Sequence, residues 1–311
     1  MKITDRRSVL KAGLGGLAGA ASLPLIGGLS ACARGASAEP LATQALTDRV
    51  MLVTGAPGNL VALSSGDGVL LVDSGAEPMA RSVQASLPAR VRTLFNTHYH
   101  ADQTGGNALF GEEGATIHAH EITRQWLSAN YYVPAEDRWV PAPPEAARPT
   151  ETFRQTGEMT AGDETVEYGY LLEAHTRGDI YVFFRDSNVL AVGDVASPQR
   201  DPSLDWYAGG WLGGRVDAMD DLLAMVNDDT KIVPAYGPVM SRADLQAERD
   251  MMTHLYDRTT ELCVTGHSAE DMYEMGVMDE VDREFEDPQK FLYDVMKGLW
   301  AHYTNFGGAT V

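Results

Sequence analysis

The chain has 311 residues, 44% of them hydrophobic and 22% charged, a balance that excludes a disordered protein and suits one large domain or two small ones. Its formal net charge is −20. So acidic a surface repels phosphate backbones, which argues against nucleic acid as a partner.

Residues 1–38 are expected to lie outside the fold. Asp5-Arg6-Arg7-Ser8-Val9-Leu10-Lys11 resembles a twin-arginine export signal, and an apolar run rich in Gly, Ala and Leu follows it. Two processing readings stand side by side. Ala36-Ser37-Ala38 is a small-residue cleavage site that releases a soluble periplasmic protein, whereas Leu29-Ser30-Ala31-Cys32 resembles a lipobox that leaves Cys32 lipidated and the protein tethered to a membrane. Without Cys32, Cys263 is the only cysteine, so no intrachain disulfide is expected. Cys263 sits between Leu262 and Val264 in a helical pattern and reads as a small buried hydrophobe.

Short β-type runs open the folded part at Val50 to Val53, Leu60 to Ser64 and Val69 to Asp73, separated by Gly- and Pro-containing turns. A helix is predicted over Pro78 to Ser86 and a strand over Val91 to Asn96. Helix, strand, helix follow at Leu109-Phe110, Ala115 to His118 and Ile122 to Ser128. Residues 130–150 hold five prolines and three aromatics with no sustained period, which reads as a lid or as a crossing between half-domains. Strands return at Val166 to Leu172, Tyr181 to Arg185, Val189 to Val192 and Ile232-Val233. Helices are predicted over Asp217 to Val226, Arg242 to Val264, Ser268 to Met275 and Pro288 to Tyr303. Two β-then-α halves imply two sheets packed face to face with helices outside. The last helices either cap that core or form a contact between copies.

Chemistry concentrates where strands end. Val91-Arg92-Thr93-Leu94-Phe95 runs into His98-Tyr99-His100-Ala101-Asp102-Gln103. Residues two apart at a strand end point the same way, so His98 and His100 converge, and two imidazoles beside a carboxylate suit zinc or ferrous iron. Asp73, His175, Asp194 and Tyr236 also close apolar runs, in Val69 to Asp73, His175-Thr176-Arg177-Gly178-Asp179, Gly193-Asp194 and Pro234-Ala235-Tyr236-Gly237-Pro238.

This ordered set resembles the metallo-β-lactamase superfamily over most of residues 49–245. The resemblance implies an α+β fold, a four-layer αββα sandwich of two mixed sheets with metal at one edge. It implies a domain at 39–265 and a helical extension at 266–311. His98, His100 and His175 match the family's three-histidine site, Asp102 and Asp194 match carboxylates of a second site, and Asp73 matches a brace for the histidine loop. Two positions depart from the family. Gln103 stands where a histidine is usual in the first motif, and Tyr236 where one precedes the closing Gly-Pro. Glutamine is a weak ligand and tyrosine binds zinc well only when deprotonated. One firm metal is therefore expected, with a second site empty or weak.

A zinc held by three histidines keeps an open position, and water there has its pKa lowered to about 7. Hydrolysis of an ester, thioester, lactone or amide of a small molecule is the expected activity. Asp102 would orient the water or take its proton, and Tyr236 would either donate to the oxyanion or plug an unused site. Trp206, Tyr207 and Trp211, in the loop after Asp194, are predicted to wall the substrate pocket, with Arg200 for a substrate carboxylate. Two alternatives remain: a single-iron sulfur dioxygenase using His98, His175 and Asp194, and a non-catalytic ligand-binding member. His118 and His120 imitate the spacing of the histidine pair but match no ligand position.

Overall fold

A computed structural model describes residues 41–306. The signal segment, Cys32 and both cleavage sites fall outside the described residues. Alternating apolar runs build the first half: strands β1 (Ala42–Ala45), β2 (Val50–Thr54), β3 (Leu60–Ser65) and β4 (Gly68–Val72), helix α1 (Ala80–Ser86) and strand β5 (Val91–Phe95). Helices α2 (Ala101–Thr104) and α3 (Asn107–Glu112), strand β6 (Thr116–His120) and helix α4 (Glu121–Ser128) follow. Then come β7 (Tyr131–Val133), β8 (Arg138–Val140) and β9 (Glu151–Phe153). Seven of these strands form one mixed sheet in the order β1-β2-β3-β4-β5-β6-β9.

Residues 130–150 are not an irregular crossing. Strands β7 and β8 pair as an antiparallel hairpin, and β9 adds a parallel edge strand beside β6. Each of these strands is only three residues long, too short for alternation to rise above the intervening prolines.

The second half builds a five-stranded sheet from β10 (Thr156–Ala161), β11 (Glu164–Tyr170), β12 (Ile180–Phe184), β13 (Val189–Gly193) and, after helix α5 (Leu212–Met225), β14 (Lys231–Pro234). Strands β12 and β13 are buried at every position, as strands covered on both faces must be. Helices α6 (Arg242–Val264), α7 (Ala269–Glu274) and α8 (Pro288–Phe306) follow. Helix α6 opens on a capping box in which Ser241 and Asp244 satisfy each other's backbone amides.

Three apolar layers hold these elements together. Leu63, Leu70, Val72 and Phe95 from the first sheet meet Ile180, Val182, Phe184 and Val233 from the second, so the sheets pack face to face. On the first sheet's outer side Val83 of α1 and Phe110 of α3 pack against Leu71 and Ile117. On the second sheet's outer side α5, α6, α7 and α8 share one cluster through Met219, Leu255, Met272 and Leu292. The result is the αββα sandwich, with the C-terminal helices capping the core. Cys263 is partly rather than fully buried against that layer.

Candidate metal centre

The strands of both sheets deliver their ends to one edge. Strand β5 leads into His98 and His100, β11 into His175, β13 into Asp194 and β14 into Tyr236. One ligand atom from each of His98, His100 and His175 lies within 4.8 Å of the others, and the ring centroids are 4.7 to 4.9 Å apart. Asp194 Oδ2 stands 3.4 Å from His98 Nε2.

Each histidine is held by a different device. Asp73, whose backbone sits in the left-handed region at φ 60, accepts hydrogen bonds from the Thr97 amide at 2.8 Å and the Thr97 hydroxyl at 2.7 Å. That hydroxyl lies 3.1 Å from His98 Nδ1, so the brace reaches the ligand through one threonine. Gly193, at φ 57, brings the Asp194 loop against Thr97, where a Cβ would stand 2.8 Å from the threonine side chain. Asp179 ties the His175 loop by accepting from the amides of His175 and Thr176 at 2.7 and 2.6 Å. His100 Nε2 lies 2.9 Å from Asp205 Oδ2, and the same oxygen accepts the Tyr99 hydroxyl.

The electrostatics suit a cation. Burial holds the His98 and His175 imidazoles well below their ordinary value, so both are neutral, as ligation requires. Burial also acts to lower His100, but the hydrogen bond to Asp205 and its charge outweigh it and raise the imidazole to about 9. The carboxylate keeps the proton on Nε2 and leaves Nδ1 as the ring's ligand atom. Burial, then the nearby Asp102 charge, pushes Asp194 up to about 6. His98 Nε2 is buried with no hydrogen-bond partner, a cost that only a ligand aimed at it removes. The three imidazoles therefore fit a divalent metal of the zinc type.

The positions that depart from the family pattern behave differently. The Tyr236 hydroxyl donates to Asp102 Oδ2, and burial, followed by the charge of Asp102, raises that phenol. Tyr236 is thus a neutral donor. The Arg200 guanidinium lies over its ring, 3.2 Å from the centroid, a cation–π contact. Gln103 is buried with neither amide atom hydrogen-bonded, and a Cβ at Gly58 would lie 2.7 Å from its Nε2.

The loop after Asp194 is anchored from below. Arg215, fully buried, donates to Ser203 O at 2.9 Å and Ser197 Oγ at 2.7 Å, and Arg283 donates to Ser197 O at 2.7 Å. This loop presents Trp206 and Tyr207 to a cavity that also reaches His100 and Asp102. Trp211 departs from the role expected of it: it is only 8% exposed and stacks on His302 at 3.6 Å between centroids, inside the helical core. It sits at the N-cap of α5, where the chain turns its side chain under the loop rather than over the metal edge. Arg200 reaches Tyr236. His118 and His120 spend their rings on Phe95 and Tyr170, away from the cluster.

Sequence alone assigns no role to Asp205, Asp179 or Tyr99. Asp179 closes the His175 motif and is visible there as a carboxylate four residues on. Asp205 has no local signal beyond its place in the loop.

The profile of the Metallo-beta-lactamase superfamily matches residues 53–237. A "Metallo-beta-lactamase type 2" of Bacillus cereus is 23% identical over 201 residues, covering 63% of this chain and 73% of that protein. The "2,4-dinitroanisole O-demethylase subunit alpha" of Nocardioides sp. (strain JS1661) is 25% identical over 268 residues, covering 83% and 73%. Among solved structures, the metallo-beta-lactamase from Pontibacter korlensis superposes with a TM-score of 0.56 at 18% identity, over 69% of this chain and 99% of that one. A sandwich with three histidines converging at its edge, matched by that profile over more than half its length, belongs to the metallo-beta-lactamase superfamily, and the chain is a metallo-hydrolase of that family.

Proposed function

We propose that the chain is an exported, mononuclear zinc hydrolase that cleaves an ester, thioester, lactone or amide bond of a small molecule. One observation carries this reading. His98, His100 and His175 converge with their ligand atoms within 4.8 Å of one another, while the second-site positions are taken by a protonated Tyr236 bonded to Asp102 and a Gln103 whose side-chain amide has no hydrogen-bond partner.

His98, His100 and His175 would hold the zinc, which would supply a water of pKa lowered to about 7 and polarisation of a carbonyl. The chain's own groups supply the rest. Asp102 accepts the proton of the attacking water at its carboxylate. The Tyr236 hydroxyl, donated to Asp102 at rest, turns to the developing oxyanion or the leaving group. Asp205, Asp179 and Asp73 hold the three histidines so that no reorganisation is needed during attack. A facial triad of His98, His175 and Asp194 for iron is the weaker reading, because His100 stands as near to both other histidines as they stand to each other.

Export rests on the arginine pair Arg6-Arg7 and the apolar run behind it. It delivers the folded protein to the periplasm, released after Ala38 or anchored through a lipid on Cys32. Lysine at both arginines is expected to retain the protein in the cytoplasm. Elemental analysis of the mature protein tests the centre. One zinc per chain is expected. Two zincs would overturn the mononuclear reading, one iron would redirect it to sulfur oxygenation, and no metal after zinc is supplied would remove the enzyme.

A further inference from the structure

A cavity of about 450 Å³ begins at His100 and Asp102 and runs out beneath the β7–β8 hairpin, a size ordinary for a small-molecule site. Tyr131, Trp206 and Tyr207 supply aromatic wall. Behind them the buried Tyr99 stacks on Trp126 with centroids 4.7 Å apart, and Tyr131 stands edge-on to both, at 5.3 and 5.1 Å. Trp206 and Tyr207 meet edge-on at 5.7 Å. Edge-to-face contacts lock each ring against the next, so the π faces are in place before a ligand arrives and little ordering is required on binding.

The cations on this lining are already spent on its carboxylates. Arg138 pairs with Glu136, Lys290 with Asp294, and His100 with Asp205. Among the described residues, every cationic side chain lining the cavity thus faces a carboxylate on the same lining, and none is left free to receive a ligand anion. The chain's net charge of −20 works in the same direction. What the cavity offers is flat apolar area next to the histidine cluster.

We propose that this cavity seats an uncharged aryl group of the substrate, with the scissile bond held at the His100 end. The proposal rests on the hydrolase reading above and narrows it to aryl esters and their relatives. Water's oxygen joins the acyl carbon, the bond from that carbon to the aryl oxygen breaks, and the proton taken by Asp102 ends on the phenol. An acid and an uncharged phenol leave.

The test separates binding from turnover. Quenching of tryptophan fluorescence by 1-naphthol measures occupancy of the cavity without chemistry, and 1-naphthyl acetate against ethyl acetate measures its use. Wild-type protein is expected to bind 1-naphthol and to prefer the aryl ester. In Tyr131→Leu and Trp206→Leu, naphthol binding and KM for 1-naphthyl acetate should weaken by about tenfold, a larger loss than either variant shows on ethyl acetate, with zinc content unchanged. Failure of wild-type protein to bind 1-naphthol, which needs no variant to fold, overturns the proposal. So does equal loss on both esters in the two variants. Naphthol binding with no ester hydrolysed would instead sink the hydrolase reading and leave the aryl site standing.

Discussion

Replacing Asp205 by alanine isolates a contact that joins two distant loops. Its carboxylate holds the Nε2 side of His100 at 2.9 Å and accepts the buried Tyr99 hydroxyl. Removing such a partner from a metal-ligating histidine weakens metal binding by about 10–100-fold, or roughly 1.4–2.8 kcal/mol. The Tyr99 hydroxyl, now buried without an acceptor, costs a further ~1–3 kcal/mol of folding stability. The two effects are measured separately. Competition with a chromophoric chelator reads zinc affinity, and urea unfolding of the metal-free protein reads stability. Asp205→Asn retains an acceptor but not the charge, so its loss of affinity should be the smaller of the two. Zinc affinity unchanged in a folded Asp205→Ala would refute the claim that this carboxylate orients His100.

Other perturbations address separate parts of the argument. Tyr236→Phe keeps the ring under Arg200 but removes the donor; turnover should fall by about 10²–10³ with zinc content unchanged, and unaltered turnover would reduce Tyr236 to a plug. Trp211→Ala empties a core position and should cost roughly 3–5 kcal/mol without changing KM, whereas a raised KM would return Trp211 to the substrate wall. Glu248 is raised above the ordinary glutamate value of 4.5, chiefly by burial, although Arg215 opposes the shift. The folded state therefore binds the proton more tightly than the unfolded chain. The stability it contributes is complete below pH 4.5 and is lost as pH climbs through the raised folded value. Urea titrations between pH 4 and 7 should show a fall in wild type that is shallower in Glu248→Gln, and parallel curves would contradict the assignment.

Much of this molecule is legible in its residues alone. A strand's period of two is local, so the runs ending at Asp73, His98, His175 and Asp194 mark strand ends and place ligand-type residues there, and the long helix Arg242–Val264 announces itself by its apolar face. Hairpin β7–β8 does not, because its three-residue strands carry too few positions for a period. Asp73 is legible as a brace, but the partners that reach in from the other half are not, for a different reason. Asp205 meets His100 across 105 residues of chain and Tyr236 meets Asp102 across 134, contacts that exist only once the two sheets close. Trp211 points the same lesson in reverse: an aromatic in a loop after a ligand looks like a pocket wall until helix α8 is packed beneath it. Residue type and strand position determined which groups could bind a metal; the packing of one half on the other decided that Asp205 holds His100 and Tyr236 meets Asp102, and which rings face the open edge.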